Sequence, residues 1–189
     1  MMKKFCFILL TVLIFAFYGS TGYREIDRGY LVTAIGVLKE NDNTTVLIEA
    51  MSSSDVSDKR NNRVVLSGSG ENTKKAYENL RVSLVKPLYF EHLGTVIFDA
   101  DIGDDSDLLE EIPNLNYGVY VVQTDNVKTL FENATPNGVL GYDIIGLIKN
   151  HNKERDNKVL CQLYVYRKTD RLLVVNLNDG RLVVENEDK

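Results

Sequence analysis

The stretch GYLVTAIGVLKENDNTTVLIEAM, residues 29–51, predicts two β-strands joined by a turn. Gly29 to Leu38 and Thr45 to Met51 are rich in β-branched and apolar residues, and the polar segment Asn41-Asp42-Asn43 separates them. Asn and Asp side chains bond their own backbone and favour turns, whereas β-branched side chains suit a pleated surface. The two runs therefore predict a β-hairpin. Gly36 inside the first run indicates either a bulge or close packing.

Further strands and helices alternate along the rest of the chain. Strand-like runs are Arg63 to Ser69, Leu93 to Phe98, Tyr117 to Gln123, Val159 to Tyr166, Arg171 to Leu177 and Arg181 to Glu185. Apolar spacing predicts a helix from Asn72 or Thr73 that ends before Pro87, a short helix over Asp104 to Glu111, a helical turn from Val127 and a helix over Val139 to Ile148. Asp179-Gly180 is a strong hairpin turn. The sum predicts an α/β (α+β) fold, in which a mixed β-sheet is packed with helices.

The chain begins with two lysines and an apolar block. Lys3 and Lys4 precede FCFILLTVLIFAFY, residues 5–18, and the small-residue segment Gly19 to Gly22 follows. That order is typical of a secretory signal or a short membrane anchor, because each Leu, Ile or Phe favours the bilayer centre by roughly 0.3–0.6 kcal/mol. We therefore expect residues 1–22 to be a signal peptide or membrane anchor, cleaved or uncleaved. The rest should be membrane-associated on the extracytoplasmic face.

Composition fixes the broad class of the exported part. The chain has 189 residues, of which 44% are hydrophobic and 26% charged, which is typical of a globular protein. A net charge of -5 argues against a nucleic-acid partner. Cys161 is the one cysteine beyond the apolar block, and we expect it in the core. We expect an α/β domain over residues 23–150, a charged linker from His151 to Lys158, and a β-rich C-terminal extension or partial second domain over residues 151–189.

Two segments of the chain resemble the Ger(x)C family of spore germination proteins. The first is Arg24-Glu25-Ile26-Asp27, followed at once by the strand from Leu31 to Val37. The second is Ser67-Gly68-Ser69-Gly70, then the helix with Ala76 and Leu80, then Lys86-Pro87-Leu88-Tyr89-Phe90-Glu91-His92-Leu93 and the strand from Thr95 to Phe98. These features occur in the same order in that family. The similarity is clear from Arg24 to Asp101, looser from Tyr117 to Glu132, and faint beyond Val139.

The resemblance implies a non-enzymatic role in spore germination. Members of the family look like the exported C subunit of nutrient germinant receptors, lipoproteins on the outer face of the spore inner membrane that work with two membrane-embedded subunits. We therefore expect polytopic membrane proteins as partners, and no cofactor. In two respects this chain departs from the family. Ser20 stands nearest to the place of the lipid-bearing Cys, and the chain stops where family members continue into further domains.

A few residues are candidates for contact with a partner. Arg24, Glu25 and Asp27 directly follow the apolar block and form either a docking patch or a solvated charged linker. Tyr89 and His92 lie in the second family-like segment. We expect His92 to be a packed histidine satisfied by the backbone rather than a catalytic base. The sequence predicts no catalytic, cofactor-binding or metal-binding residue.

One acidic cluster suggests a metal, and it comprises Asp99, Asp101, Asp104, Asp105 and Asp107. A calcium loop needs alternating oxygen ligands, a Gly at its sharp turn and a distal bidentate acid, but here Gly103 comes early and the later spacing breaks. Acids that cap a helix are the simpler interpretation. Two alternative functions stay open, namely an extracytoplasmic small-ligand-binding domain with a pocket between sheet and helices and, more weakly, a metal-dependent hydrolase that uses these aspartates.

Overall fold

A computed structural model describes residues 29–52, 63–102, 118–133, 138–154 and 172–185 of the chain. The strands there are β1 (Tyr30–Glu40), β2 (Asn43–Ser52), β3 (Arg63–Gly70), β4 (Leu88–Tyr89), β5 (Thr95–Asp99), β6 (Tyr120–Thr124), β7 (Leu173–Asn178) and β8 (Arg181–Glu185). The helices are α1 (Thr73–Ser83), α2 (Val127–Asn133) and α3 (Leu140–Glu154). None of the helices in these ranges is long and apolar enough to cross a membrane.

The strands form a single mixed sheet. Its order is β3-β2-β1-β5-β6-β7-β8, and the short β4 pairs with the start of β1. Strand β1 is central, because it pairs antiparallel with β2 on one side and parallel with β5 on the other. Strands β5, β6 and β7 run parallel, and β8 returns antiparallel beside β7. The predicted mixed sheet packed with helices is therefore confirmed.

Both predicted hairpin turns are present. Glu40 pairs with Asn43 across the first turn, where Asn41 has a φ of 57°. The second turn holds Asp179 and Gly180 with φ values of 51° and 73°. Two successive positive φ angles define the turn that matches the twist of a hairpin, and Asp-Gly adopts them at low steric cost. The local sequence therefore sets both of these connections.

A hydrophobic core lies on each side of the sheet, because successive side chains of a strand point to opposite faces. On one side α1 packs Ala76, Tyr77 and Leu80 against the strands. On the other side α2 and α3 contribute a second set of buried apolar residues, among them Leu130, Phe131, Leu140, Ile144 and Ile148. Burial of each such large side chain is worth roughly 1.5–3 kcal/mol. The sheet is thus covered by helices on both faces.

Helix α1 begins and ends near the predicted residues. Asn72 caps it, with its Oδ1 accepting a hydrogen bond from the Lys75 backbone N–H at 2.8 Å. An N-cap of this kind satisfies a donor that the first turn leaves free. Leu84 is already extended, three residues before Pro87, whose ring cannot continue a helix.

Gly36 is a site of close packing, one of the two predicted alternatives. A Cβ there would lie 2.5 Å from Val127 Cγ1 and 2.6 Å from Phe131 Cε2 of helix α2. The register shift between β1 and β2 lies elsewhere, between Val32 and Ala34, so Thr33 is the bulged residue. The missing side chain at Gly36 therefore lets α2 lie directly on β1.

Among the predicted elements, the linker from His151 to Lys158 is wrong in its first residues. The segment that begins at His151 was expected to be a linker, but α3 continues through Glu154. The reason is that no Gly or Pro lies between Gly146 and Glu154, and charged and polar residues alone do not end a helix. The strands β5 and β6 also begin two or three residues later than predicted, at Thr95 and Tyr120.

Several predicted features lie outside the described residues. They are residues 1–22, the helix over Asp104 to Glu111, and the strand over Val159 to Tyr166 with Cys161. Strands β7 and β8, beyond residue 150, pair into the same sheet as β1 to β6. The domain boundary at residue 150 stays a prediction.

Candidate functional site

A buried carboxylate, Glu49 of β2, joins the sheet to helix α3. Its side chain is 0% exposed. Oε2 accepts hydrogen bonds from Thr33 Oγ1 at 2.6 Å and from the Gly141 backbone N–H at 3.2 Å. Oε1 accepts from Arg63 Nε at 2.6 Å and from the Leu140 backbone N–H at 2.9 Å. Glu49 therefore binds the start of α3, where the helix dipole favours a negative charge.

The surrounding backbone explains how these groups meet. Thr33 is the bulged residue of β1, beside the Ala34–Glu49 pair, so it can turn its hydroxyl to the carboxylate. Arg63 opens β3, and its Nη2 donates to the Phe131 carbonyl of α2 at 2.5 Å. This ion pair links two strands and two helices. With its donors in place and no exposed surface, the Glu49 carboxylate is suited to holding the fold rather than to catalysis.

A second carboxylate lies beside this centre. Asp143 is in the first turn of α3, and its Oδ2 is buried without a hydrogen-bond partner. Burial raises the pKa of Asp143, and the negative charge of Glu49 raises it further. Two acids therefore lie at the start of α3, Asp143 of the helix itself and Glu49 of β2, and among the described residues Glu49 is the one that is paired with a cation.

Asp99, the first residue of the acidic cluster, lies at the end of β5. Burial raises the pKa of Asp99, whereas the nearby backbone N–H groups of Asp101, Val127 and Ala100 favour its ionised form and lower the pKa. The effect of burial is the larger one, so the pKa of Asp99 lies above its ordinary value. The predicted capping of a helix over Asp104 to Glu111 lies outside the described residues and stays a prediction.

The described part of the chain offers little to a metal ion. No group of three or more His, Cys, Asp or Glu residues there is placed to hold one. Asp104, Asp105 and Asp107 lie outside the described residues. The hydrolase alternative therefore has no observation of the structure in its favour.

An asparagine that sequence analysis missed joins β7 to the end of β6. Asn176 Oδ1 accepts hydrogen bonds from Thr124 Oγ1 and from the Asp125 backbone N–H, both at 3.0 Å. Its Nδ2 donates to Asp125 Oδ2 at 2.7 Å. Asn176 is 6% exposed, and a polar group so buried is stable only when it is bonded. The one sign of this bonding role in the sequence is the position of Asn176 in the middle of an apolar strand.

The predicted partner-contact residues fall in two places. Arg24, Glu25 and Asp27 lie outside the described residues. Tyr89 is half-buried in β4, with its ring where a side chain at Gly29 would lie. The structure therefore brings Tyr89 to the point where β1 begins.

The expectation of a packed His92 is wrong. His92 is exposed in the turn after β4. Phe90 and Leu93 are the buried residues of this turn, 7% and 5% exposed, and the Leu93 N–H donates to the Phe90 carbonyl at 3.0 Å. The two apolar residues take the inward positions, so the histidine between them faces solvent.

The segment between α1 and β4 lies against the first residues of β1. The Tyr30 N–H donates to the Pro87 carbonyl at 2.9 Å. Lys86 Nζ lies 5.6 Å from the centre of the Tyr30 ring and 3.3 Å from Ser52 Oγ. Val82 and Val85, just before this contact, are 86% and 99% exposed. We call these two valines the valine pair.

A cavity of about 300 Å³ lies between strands β1–β3 and helix α2. Leu38, Leu47 and Phe131 are among its apolar lining residues, and Thr45, Ser67 and Ser69 add hydroxyl groups. The ion pair of Lys128 Nζ with Glu40 Oε1, at 3.2 Å, also lines it. The volume is at the lower end of the range for small-molecule pockets. It is the kind of pocket, between sheet and helix, that the ligand-binding alternative requires.

Comparison with known proteins identifies the domain. The family model described as the spore germination protein N-terminal domain matches residues 22–164, well over half of the 189-residue chain. The matched range contains strands β1 to β6, all the helices described above and the Glu49 centre. No curated protein and no solved structure matches the chain. The resemblance seen in the sequence is confirmed, and the chain belongs to the family of spore germination protein N-terminal domains.

Proposed function

We propose that this protein is a non-enzymatic, membrane-associated subunit of a nutrient germinant receptor complex. A role in spore germination follows from the family match over residues 22–164, and this match carries the proposal. The apolar block of residues 5–18 directly precedes the matched range. A leader followed by this domain is the arrangement expected of a protein that works at the extracytoplasmic face of the spore inner membrane, beside polytopic subunits.

The chemistry of the described residues supports a binding role rather than catalysis. Glu49 and Asn176 both bind backbone N–H groups that connect helices and strands. The family is one of germination proteins, not a known enzyme family. These polar groups therefore stabilise the fold, and the fold can present a surface to a partner.

The proposed partner surface lies where β1 begins. Tyr89 is against Gly29, and His92 is exposed three residues later. Arg24 to Asp27 are at most five residues before Gly29, so they lie within about 18 Å of it even when fully extended. Arg24, Glu25, Asp27, Tyr89 and His92 can therefore contribute to one surface near the membrane.

Co-purification from spores tests this proposal. The tagged protein should be recovered with two polytopic membrane proteins, and His92→Ala should lower that recovery. Lys149→Ala, an exposed change on α3, is the matched control and should leave recovery unchanged. Recovery of the protein without these partners, together with normal nutrient germination after clean deletion in a strain without a redundant paralogue, would contradict the proposal.

The cavity favours a second candidate function, the binding of a small extracytoplasmic ligand. Thermal-shift measurements with amino acids, sugars and nucleosides would detect it. Ser67→Phe should fill the cavity and remove any shift, whereas Val183→Phe, at an exposed position of β8, should preserve it. A flat response of the parent protein across all three classes would exclude this candidate.

A further inference from the structure

The valine pair, Val82 and Val85, is the most exposed set of large apolar side chains in the described residues. Val82 is 86% and Val85 99% exposed, compared with 46% for Tyr142 and 43% for Val65. The two valines are three positions apart in the chain, so their Cα atoms lie within about 11 Å of each other. Exposed apolar side chains that lie close together and are rimmed by polar residues can mark a contact with a protein or a membrane.

The backbone around the pair explains why both valines point outward. Helix α1 ends at Ser83, and Leu84 takes an extended conformation with its side chain packed against the core. That anchor turns the flanking residues away from the protein. The segment from Arg81 to Lys86 reads RVSLVK and holds two cations and no acid. Exposed apolar side chains flanked by basic residues are the composition that favours a membrane interface.

The position of the pair gives the membrane contact a geometric basis. Pro87, two residues after Val85, accepts the hydrogen bond from the Tyr30 N–H at the start of β1. Ten residues, 19–28, connect the apolar block to Gly29, and they span at most about 35 Å. A leader held in a bilayer therefore keeps the start of β1, which is bonded to Pro87, within about 35 Å of the membrane surface.

We propose that Val82 and Val85 insert into the lipid interface of the membrane that holds the leader, with Arg81 and Lys86 at the level of the headgroups. The inference rests on the proposed membrane attachment. The net charge of -5 opposes attraction of the whole chain to anionic lipid. The leader therefore holds the domain near the bilayer, and the valine pair determines which side of the domain faces it.

The absence of tryptophan from the sequence allows a direct test. V82W and V85W each introduce a single fluorescent reporter into the full chain, reconstituted in phosphatidylcholine vesicles with a minor share of phosphatidylglycerol. Both reporters should show a blue-shifted emission and lose intensity when brominated lipid is included. V183W, on the edge strand β8, is the matched control and should keep the emission of a water-exposed indole.

Vesicle flotation tests membrane attachment separately from the lipid contact of the valine pair. A chain that does not float with vesicles would overturn both membrane attachment and the lipid contact. A chain that floats, but whose V82W and V85W emission matches that of V183W, would overturn the lipid contact alone. Circular dichroism of each variant checks folding, and because the two reporter positions are independent, either one that folds suffices for the decision.

Discussion

The Glu49 carboxylate is the single side chain on which the arrangement of several elements depends. It lies without solvent exposure in β2 and binds Arg63, Thr33 and the first backbone N–H groups of α3. Burial of a charge is unfavourable unless a counter-ion and hydrogen bonds compensate it. Here both are supplied, so the stability of α3 on the sheet should be sensitive to the charge of this one residue.

Glu49→Gln should lower the free energy of unfolding by about 3 kcal/mol, because it leaves Arg63 without its counter-ion and places an amide NH2 among N–H donors. Urea denaturation measures the change. Glu78→Gln is the control, since Glu78 forms an exposed pair with Lys75 at 3.2 Å and exposed pairs contribute under about 1 kcal/mol. Equal losses for the two variants would contradict the assigned role of Glu49.

Asp143→Asn should raise stability at neutral pH. Burial, followed by the Glu49 charge, raises the pKa of Asp143 in the folded protein above the ordinary value of 3.8. The folded state therefore binds its proton more readily than the unfolded state does, and stability falls as pH rises through the folded pKa. The advantage of Asp143→Asn should shrink as pH is lowered towards 3.8, because the parent residue is then also neutral.

Chemical denaturation at a series of pH values measures this effect. A double-mutant cycle with Glu49→Gln adds a specific check, because the Glu49 charge is one of the two causes of the raised pKa. The benefit of Asp143→Asn should be smaller in that background. A benefit that does not vary with pH in either background would refute the proposed cause.

The Glu49 centre could not be predicted from the sequence, for a physical reason. A lone acid in the apolar run VLIEAM was a local signal that Glu49 is unusual. Its partners gave no such signal, because the Gly141 N–H is 92 residues away in the sequence and is a backbone group. Contacts of that kind depend on how helix and strand meet, which no local pattern records.

The secondary-structure features that were predicted correctly are those specified by residues that are neighbours in the sequence. The two hairpin turns and the Asn72 cap were predicted from turn and capping residues, and the structure confirms them. The C-terminal end of α3 and the exposure of His92 were not predictable in this way. Charged residues fit a helix or a linker, and the choice of inward residue in the β4 turn is made by the core.

Gly141→Ala should destabilise the packing of α3 on β1. A Cβ at Gly141 would collide with the Thr33 carbonyl oxygen, a backbone atom that cannot move aside. Overpacking of this kind costs typically about 1–3 kcal/mol. Thermal or urea unfolding measures the loss.

Gly146→Ala in the same helix is the matched control for this prediction. Nothing lies within 4 Å of a Cβ at Gly146, and Ala is favoured over Gly in a helix by about 0.5–1 kcal/mol. The two substitutions should therefore change stability in opposite directions. A gain of stability for both would show that α3 does not approach β1 as closely as the structure has it.

The described residues are organised around one continuous sheet. Its fold class and its family were evident from the sequence, because the apolar runs, turns and the ordered motif segment are all local features. The order of the strands was not evident from the sequence, because the parallel neighbours β5, β6 and β7 come from distant parts of the chain. Nor does a local pattern show that β7 and β8 extend the sheet that begins with β1.

Removal of all residues after Glu154 should therefore destabilise the entire domain. It would expose the edge of β6 and delete Leu173 and Val175, which are 8% and 0% exposed in the core. Loss of each side chain from the core costs roughly 1.5–3 kcal/mol. We expect circular dichroism to show a lower thermal midpoint for the remaining residues 29–154, in addition to the loss of β7.

Asn176→Ala provides a milder comparison for the truncation. It keeps β7 but removes the hydrogen bonds to Thr124 and Asp125, which should cost about 1–3 kcal/mol. The truncated chain should unfold at a lower temperature than this variant. A truncated chain that unfolds at the same temperature as the parent would instead identify residues 151–189 as an independent extension.

Strand β1 is hydrogen-bonded on both sides, to β2 and to β5, and it is also the strand that receives the chain from residues 1–28. Mechanical load on those preceding residues is therefore transmitted into the middle of the sheet rather than into an edge. An edge strand can be peeled away one bond at a time, whereas a central strand pulled along its axis resists in shear, with both ladders strained together. The fold should consequently resist unfolding when force is applied to its N-terminal side.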